Sequence, residues 1–144
     1  MTSTVAASVA ADDVVRVPVT PAAAALLREL IADNGPLLFH QSGGCCDGSA
    51  PMCFARGDFK VGDSDVFLGV VAGVPFFIGA AQFEYWQHTE LTVDVVGGRG
   101  AGFSVEAPRG VRFLIRSRIF EMDELAVLEA RGLVRGPSAL KDLP

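Results

Sequence analysis

The sequence predicts a single α+β domain with an N-terminal helix, about seven strands in antiparallel or mixed sheets, and a C-terminal helix. Three observations support this fold class. A proline-capped, leucine-rich segment near the N-terminus has helical periodicity. The middle of the chain consists of short apolar runs separated by Gly and Asp, and an amphipathic segment follows near the C-terminus.

The two helices are predicted from their ends and their apolar stripes. Thr20 offers an N-cap hydroxyl, and Pro21 takes the first helical position, where a missing N–H costs nothing. Leucines and an isoleucine at helical spacing follow, and the Asn-Gly-Pro sequence at 34–36 ends this helix. The last helix is predicted over 121–131.

The strands are predicted from apolar runs bounded by turn residues. Ala72 and Gly73 are expected to form a hairpin turn, and 96–100 a wider turn. In the last strand, odd-numbered positions from Val111 to Ile119 are predicted to face one way and the arginines the other. The predicted strands are 37–41, 52–56, 66–71, 74–79, 91–96, 102–106 and 111–118.

Composition excludes several classes of protein. Half of the 144 residues are hydrophobic and 20% are charged, which excludes an intrinsically disordered chain. The most apolar stretch, 66–81, is too short for a membrane span and contains Gly and Pro. A net charge of −5 disfavours nucleic-acid binding. The sequence has no Gly-rich phosphate loop between a strand and a helix, so a nucleotide cofactor is not expected.

Residues 1–15 are predicted to be a disordered tail, 16–120 the α+β domain, and 121–144 a C-terminal helix and tail. The first thirteen residues lack the basic start and apolar block of a secretory signal, so a cytoplasmic location is expected. Three cysteines, two of them adjacent, make a poor disulfide framework and are expected to stay reduced there.

A glycine-rich segment at 40–53 contains all three cysteines and one of the two histidines. Thiolates and imidazole are the ligands that zinc, iron and iron–sulfur clusters select. The alternative is that Cys45 and Cys53 are small buried hydrophobes and that Gly43 and Gly44 only form a turn. The candidate metal ligands are His40, Cys45, Cys46 and Cys53, and Gly43, Gly44 and Asp47 are candidate pocket residues on the same loop.

A second unusual segment, 82–90, contains the only Trp, the only Tyr and the other histidine. Aromatic rings with polar tips beside acidic side chains are typical of a pocket wall or a general acid–base pair. The alternative is a helix that packs Phe83 and Trp86 on the sheet, with His88 hydrogen-bonded to a backbone carbonyl. The candidate pocket residues here are Glu84, Tyr85, Trp86 and His88.

Arginines concentrate in the last predicted strand of an otherwise acidic chain. Arg112, Arg116 and Arg118 share one face, which can hold an acidic partner surface. A solvated outer face of an edge strand has the same pattern, since charged side chains there prevent strand pairing with other chains.

The order of several motifs resembles the A-type iron–sulfur carriers (HesB-like proteins) over residues 17–108. These motifs are the Thr-Pro helix start, Gly43-Gly44-Cys45, the LTVDVV strand at 91–96 and GFSVEAP at 102–108. The resemblance implies a HesB-like fold and an iron–sulfur ligand at Cys45. The carriers place a Cys-Gly-Cys pair after the last proline, where this chain has Arg109-Gly110-Val111. Cluster binding would therefore need Cys46 and Cys53 as substitutes.

Longer strings resemble the bacterial family called domain of unknown function 779, over nearly the whole chain after residue 15. They are HQSGGCCDGSAPMCF, QFEYWQHT and GRGAGFSVEAP. Members of that family are commonly encoded beside aldehyde dehydrogenases, so the resemblance implies a link to aldehyde oxidation and an aldehyde dehydrogenase as partner. At 144 residues the chain is not itself expected to hold the cofactor and catalytic domains of a dehydrogenase.

These observations lead to three hypotheses of different class. The first is a non-catalytic accessory protein of an aldehyde dehydrogenase that binds zinc, iron or an iron–sulfur cluster, or offers a thiol, through the Gly-Gly-Cys-Cys loop. The second is a small thiol-dependent enzyme with Cys45 or Cys46 as nucleophile and His40 or His88 as base. The third is an interaction module that uses the arginine face. A homo-oligomer is compatible with all three.

Overall fold

The computed structural model describes residues 14–42, 49–98 and 103–141, and within these ranges the chain is an α+β protein with three α-helices and seven strands. The helices are α1 (Pro21–Asn34), α2 (Ala80–Trp86) and α3 (Met122–Arg131). The strands are β1 (Leu37–Gln41), β2 (Met52–Ala55), β3 (Val66–Val71), β4 (Val74–Ile78), β5 (Thr89–Gly97), β6 (Val111–Ile119) and β7 (Val134–Arg135).

Five strands form a mixed sheet in the order β2-β1-β4-β3-β7. β1 and β4 are parallel, and the other neighbours are antiparallel. Every residue of β1 and of β4 is buried. Such continuous burial requires cover on both faces of the sheet, which explains why β4 and the first three residues of β1 are apolar without alternation.

The predicted hairpin turn between β3 and β4 is confirmed. Ala72 (φ +48°) and Gly73 (φ +86°) both adopt left-handed backbone conformations, and Val71 pairs with Val74 on either side. Two consecutive left-handed residues match the right-handed twist of the flanking strands, which is why tight hairpins favour this turn.

β5 and β6 form a separate antiparallel ribbon of nine residue pairs, from Thr89 opposite Ile119 to Gly97 opposite Val111. The segment before α1 runs alongside β5, since the Val93 N–H donates to Pro18 C=O (2.8 Å) and the Thr20 N–H donates to Val93 C=O (3.0 Å). The start of α1 is therefore attached to the ribbon by backbone hydrogen bonds.

Helix α1 begins and ends as its sequence predicts. The Thr20 hydroxyl accepts a hydrogen bond from the Ala23 N–H, Pro21 is the first helical residue, and Gly35 (φ +79°) caps the end through its N–H to Ile31 C=O. These contacts satisfy backbone groups that a helix end leaves without partners. The buried face, which includes Leu27 and Leu30, packs into the main core.

The main core joins the five-stranded sheet to the ribbon. Phe39 of β1 lies 5.4 Å from Phe76 of β4 and 5.0 Å from Phe113 of β6, measured between ring centroids, and all three are fully buried. A smaller cluster of Leu38, Val61 and Phe77 covers the opposite face of the sheet. The sheet is therefore a middle layer with apolar packing on both sides.

The predicted strand at 102–106 is wrong. Residues 103–106 form turns that lead into a 3-10 turn at Ala107–Arg109, and Gly102 lies outside the described residues. Ser104 donates a hydrogen bond to Glu106 two residues further on, and such local hydrogen bonds compete with a strand ladder. The sequence patterns also missed β7, whose two residues are too short to carry a periodic signal.

The ribbon extends beyond the core at its far end. Phe113 and Ile115 of β6 are buried as predicted, and Leu114 on the opposite face is buried too. Ser117 and Ile119 are exposed, although they share the inward side of the predicted alternation.

The C-terminal helix packs on the N-terminal segment. Val14, which the sequence analysis assigned to a tail, is buried together with Phe120 and Leu128. Among the described residues, no helix is both long and apolar enough to cross a membrane.

Replacing Phe39 by alanine is expected to lower the free energy of unfolding by about 3–5 kcal/mol, because the cavity would lie where sheet and ribbon meet. Urea unfolding of both proteins measures this loss. Tyr85→Ala is the matched control, since Tyr85 is 72% exposed, and its change is expected to stay within about 0.5 kcal/mol. Equal losses in the two variants would contradict the place given to Phe39.

Candidate functional site

The cysteine loop connects β1 to β2. Gly43, Gly44, Cys45, Cys46 and Asp47 lie outside the described residues, so the structure does not test their predicted roles. The strands on either side are described, and they place His40 at the end of β1 and Cys53 in β2. His40 and Cys53 are therefore the two predicted ligands whose positions the structure describes.

His40 is buried and has a carboxylate on one side and a hydroxyl on the other. Its Nδ1 lies 2.5 Å from the Ser42 Oγ, and its Nε2 lies 3.0 Å from Asp65 Oδ2. The second contact is within ion-pair distance but lacks the angle of a hydrogen bond. The ring of Phe59 packs against the His40 ring, with 4.6 Å between the two ring centroids.

Asp65 is held in place by hydrogen bonds to the backbone. Its Oδ2 accepts from the Gly62 N–H (2.8 Å), and its own N–H donates to Gly62 C=O (3.1 Å). Its C=O accepts from the Gly136 N–H (2.8 Å), just after β7. Asp65 thus stands on the Nε2 side of His40, and Nδ1 lies on the Ser42 side, where the loop begins.

Cys53 lies on the opposite face of the sheet from His40. In the β1–β2 register, Phe39 pairs with Cys53 and His40 pairs with Met52, and successive side chains point to opposite faces of a strand. Cys53 is fully buried in the main core. The structure therefore does not bring the Cys53 and His40 side chains together.

The chemistry of Cys53 follows from this burial. Burial, and after it the nearby carboxylate of Glu106, raises the pKa of the Cys53 thiol far above its ordinary value. A thiolate is needed for both metal binding and nucleophilic attack. Cys53 therefore behaves as the small buried hydrophobe that the alternative interpretation described.

Two buried polar residues that the sequence analysis did not select lie beside Cys53. Ser104 accepts a hydrogen bond from the Cys53 N–H (2.9 Å) and donates its own hydrogen to Glu106 Oε1. Glu106 is 1% exposed and its other oxygen accepts from the Phe113 N–H (3.2 Å). The group connects the turn after the ribbon's first strand to β2 and β6, so we assign it a structural role.

The signal for this group was in the GFSVEAP string at 102–108. Its interpretation as a strand treated Ser104 and Glu106 as alternating side chains, although polar residues flanked by Gly and Pro also favour turns. Only the fold shows that both residues are buried.

The aromatic segment forms α2, as the helical alternative predicted. Phe83 and Trp86 are buried in the main core, whereas Glu84 and Tyr85 are exposed on the other side of the helix. His88 is exposed after the helix end, and its C=O accepts from the Phe120 N–H. Of the four predicted pocket residues, Trp86 therefore faces inward, Glu84 and Tyr85 face solvent, and His88 lies in the wall of a cleft beside Arg16.

Arg116 and Arg118 of β6 are paired with acidic residues of the same chain. Arg116 Nε lies 2.6 Å from Asp94 Oδ2, and hydrogen bonding by Arg116 lowers the pKa of Asp94. Arg118 lies between Glu90 (3.0 Å) and Glu124 (2.9 Å), and it lowers the pKa of Glu124. Arg112 stands opposite Val96 on the ribbon. This surface is therefore of mixed charge rather than uniformly positive.

Within the described ranges, no group of three or more His, Cys, Asp or Glu side chains is arranged to hold a metal ion. A metal site at the base of the loop would thus need Cys45, Cys46 or Asp47 in addition to His40.

In a Cys45→Ser/Cys46→Ser double variant, Cys53 is the only thiol. We expect it to resist a thiol reagent such as DTNB at pH 8 in the native state, because its raised pKa keeps it protonated and the core excludes the reagent. The same variant in urea serves as the control and should react fully. Rapid labelling of the folded protein would contradict this assignment.

Comparison with known proteins shows the family of the chain. The model of the family described as "Domain of unknown function (DUF779)" matches residues 26–119, which include most of α1, the mixed sheet except β7, and the ribbon. Neither a curated protein nor a solved structure was found to match. Since the match covers well over half of its length, the chain belongs to the DUF779 family.

Proposed function

We propose that this protein is a non-catalytic accessory protein of aldehyde oxidation, and that it binds a soft metal centre through His40, Cys45 and Cys46. The metal centre is zinc, iron or an iron–sulfur cluster, and the partner is an aldehyde dehydrogenase. The metal half rests on the structure around His40 together with the loop sequence. The partner half rests on the family resemblance.

The observation that carries the proposal is the Asp65–His40 pair. Histidines that bind metals usually present their second ring nitrogen to a carboxylate, which orients the ring and makes the ligand nitrogen more basic. Asp65 stands at Nε2 of His40, Phe59 holds the ring, and Nδ1 is directed to the side of Ser42. The arrangement is therefore the one that a metal-binding histidine would have.

Sequence distance supports the cysteines as the remaining ligands. Cys45 and Cys46 follow Ser42 by three and four positions, so they remain within about 10–14 Å of it along the chain. Thiolate and imidazole together favour zinc and iron over magnesium or calcium. The glycines at 43 and 44 allow backbone conformations that a tight ligand loop needs.

Three protein ligands would leave one position of a tetrahedral ion for a ligand from outside. Cys45 is also the residue that corresponds to a cluster ligand in the HesB-like resemblance. Cys53 is not part of the proposed set, because it lies in the core on the other face of the sheet.

The same pair also favours the small thiol-dependent enzyme as a second candidate. A histidine held by a carboxylate can act as a general base, and His40 Nδ1 is already 2.5 Å from a hydroxyl. In that case His40 would activate Cys45 or Cys46 instead of binding a metal with them.

Anaerobically purified protein is expected to contain metal, and Cys45→Ser, Cys46→Ser and His40→Gln variants are expected to lose it. Asp65→Asn should weaken metal binding by about ten- to a hundredfold, because it removes only the orienting carboxylate. Cys53→Ala is the matched control and should retain the metal. Elemental analysis and competition with a chelator measure these amounts.

Equal and negligible metal in the wild type and in all variants would reject the metal site. The iodoacetamide reaction rate of Cys45 against pH then tests the second candidate. A thiolate already present near neutral pH that is lost in His40→Gln would support a thiol enzyme, whereas an ordinary thiol profile would reject it.

This protein is expected to co-purify in a complex with its aldehyde dehydrogenase partner. If the arginine face forms the interface, Arg116→Glu should weaken the complex and added salt should do the same, since exposed ion pairs are screened. Arg28→Glu on the exposed side of α1 is the control. A salt-indifferent complex would reject the arginine face, and the lack of any complex would reject the partner.

A further inference from the structure

Arg16 is a half-buried cation that lies between α3 and the end of α2. Its Nη1 donates to Gln87 C=O at 2.8 Å, and its guanidinium carbon lies 5.2 Å from the centre of the Phe83 ring. These two contacts hold the guanidinium in place, but neither of them supplies a negative charge.

Among the residues at 14–42, 49–98 and 103–141, no carboxylate lies within ion-pair distance of Arg16. Burial, and then the positive charge of Arg131, lowers the pKa of Arg16. A partly buried charge that faces a like charge is unfavourable unless an anion compensates it. Arg16 differs in this respect from Arg109, Arg116 and Arg118, which all have acidic partners.

Two neighbouring clefts of about 200 and 210 Å³ share Arg16 and Leu128 in their walls. The first, which we call the arginine cleft, also contains Arg131 at its rim and is otherwise lined by apolar side chains and glycine backbone. These are Phe67, Leu68 and Gly69 of β3, Gly132 and Leu133, and Val134 of β7.

The second cleft is polar and contains Gln87, His88 and Glu129 beside Arg16. Because the Glu129 carboxylate would repel an anion, the arginine cleft is the more favourable of the two for negative charge. It combines two guanidinium groups with an apolar wall, which is the arrangement that recognises a molecule with one anionic end and one apolar end.

We propose that the arginine cleft binds a small aliphatic monocarboxylate. Its carboxylate would face Arg16 and Arg131, because a planar carboxylate matches the donors of a guanidinium. Its hydrocarbon tail would lie against Leu68, Leu128 and Val134. A cleft of about 200 Å³ is small for a drug-sized ligand and suits a short chain.

This inference is argued from the cleft alone and does not rest on the proposed function. If both are correct, the ligand belongs to the class of molecule that aldehyde oxidation produces, since oxidising an aldehyde yields a carboxylate.

Butyrate is the probe, titrated into the full-length protein at constant ionic strength and followed by NMR shifts of backbone amides around the cleft. We expect saturable shifts at residues 67–69 and 131–134, and none with 1-butanol, which has the same tail without the charge. Affinity should rise by up to about fourfold per added methylene from acetate to pentanoate. If chloride or phosphate bound to the cleft as tightly as butyrate does, the proposal would be overturned.

Arg131→Gln and Arg16→Gln are each expected to weaken butyrate binding by about tenfold or more, since each removes a charge-assisted contact. Arg131 is exposed, so its variant tests the cleft even if Arg16→Gln fails to fold. Arg28→Gln is the control for overall charge and should bind as the wild type does. Equal weakening in the control, or no butyrate binding in the wild type, would overturn the proposal.

Discussion

The two-sided burial of β1 is the constraint on which the rest of the structure depends. β1 lies between an antiparallel β2 and a parallel β4, and apolar clusters cover both faces of the sheet. Because side chains alternate along a strand, Phe39 enters the core that holds sheet and ribbon together, and His40 points to the other side. The strand that supports the fold thus also presents the histidine at the base of the cysteine loop.

Burial of a histidine in such a strand requires polar partners, since an unpaired polar group in a protein interior is costly. For His40, Ser42 provides a hydrogen bond and Asp65 provides a carboxylate at ion-pair distance. Asp65 is held by the turn at 62–65 and by the Gly136 N–H beyond β7. The candidate site is therefore supported by segments from three distant parts of the chain. On the opposite face, Ser104 and Glu106 satisfy buried backbone groups around Cys53 in the same way, without any chemical role being needed.

The arginines discussed above differ in whether an acidic side chain lies beside them. Arg109, Arg116 and Arg118 are matched by acidic residues on α1, β5 and α3. Arg16 is not matched in this way among the described residues, although it is less exposed than they are. This contrast distinguishes surface charge that keeps an edge strand from pairing from charge that is placed inside a cleft.

Local chemistry in the sequence was enough to determine α1 with both caps, most strand positions, the hairpin at 72–73 and the final helix. Each of these depends on residues that are close together in the chain. The parallel pairing of β1 with β4, the two-residue β7 and the turn in place of a strand at 103–106 depend on distant contacts, which periodicity does not report. The same holds for the site: the sequence placed His40 and Cys53 in one cluster, but only strand pairing decides that a pleated sheet separates them. Asp65 and Arg16 gained their importance from tertiary structure alone, because a side chain's electrostatic environment is set by neighbours that the chain brings in from elsewhere.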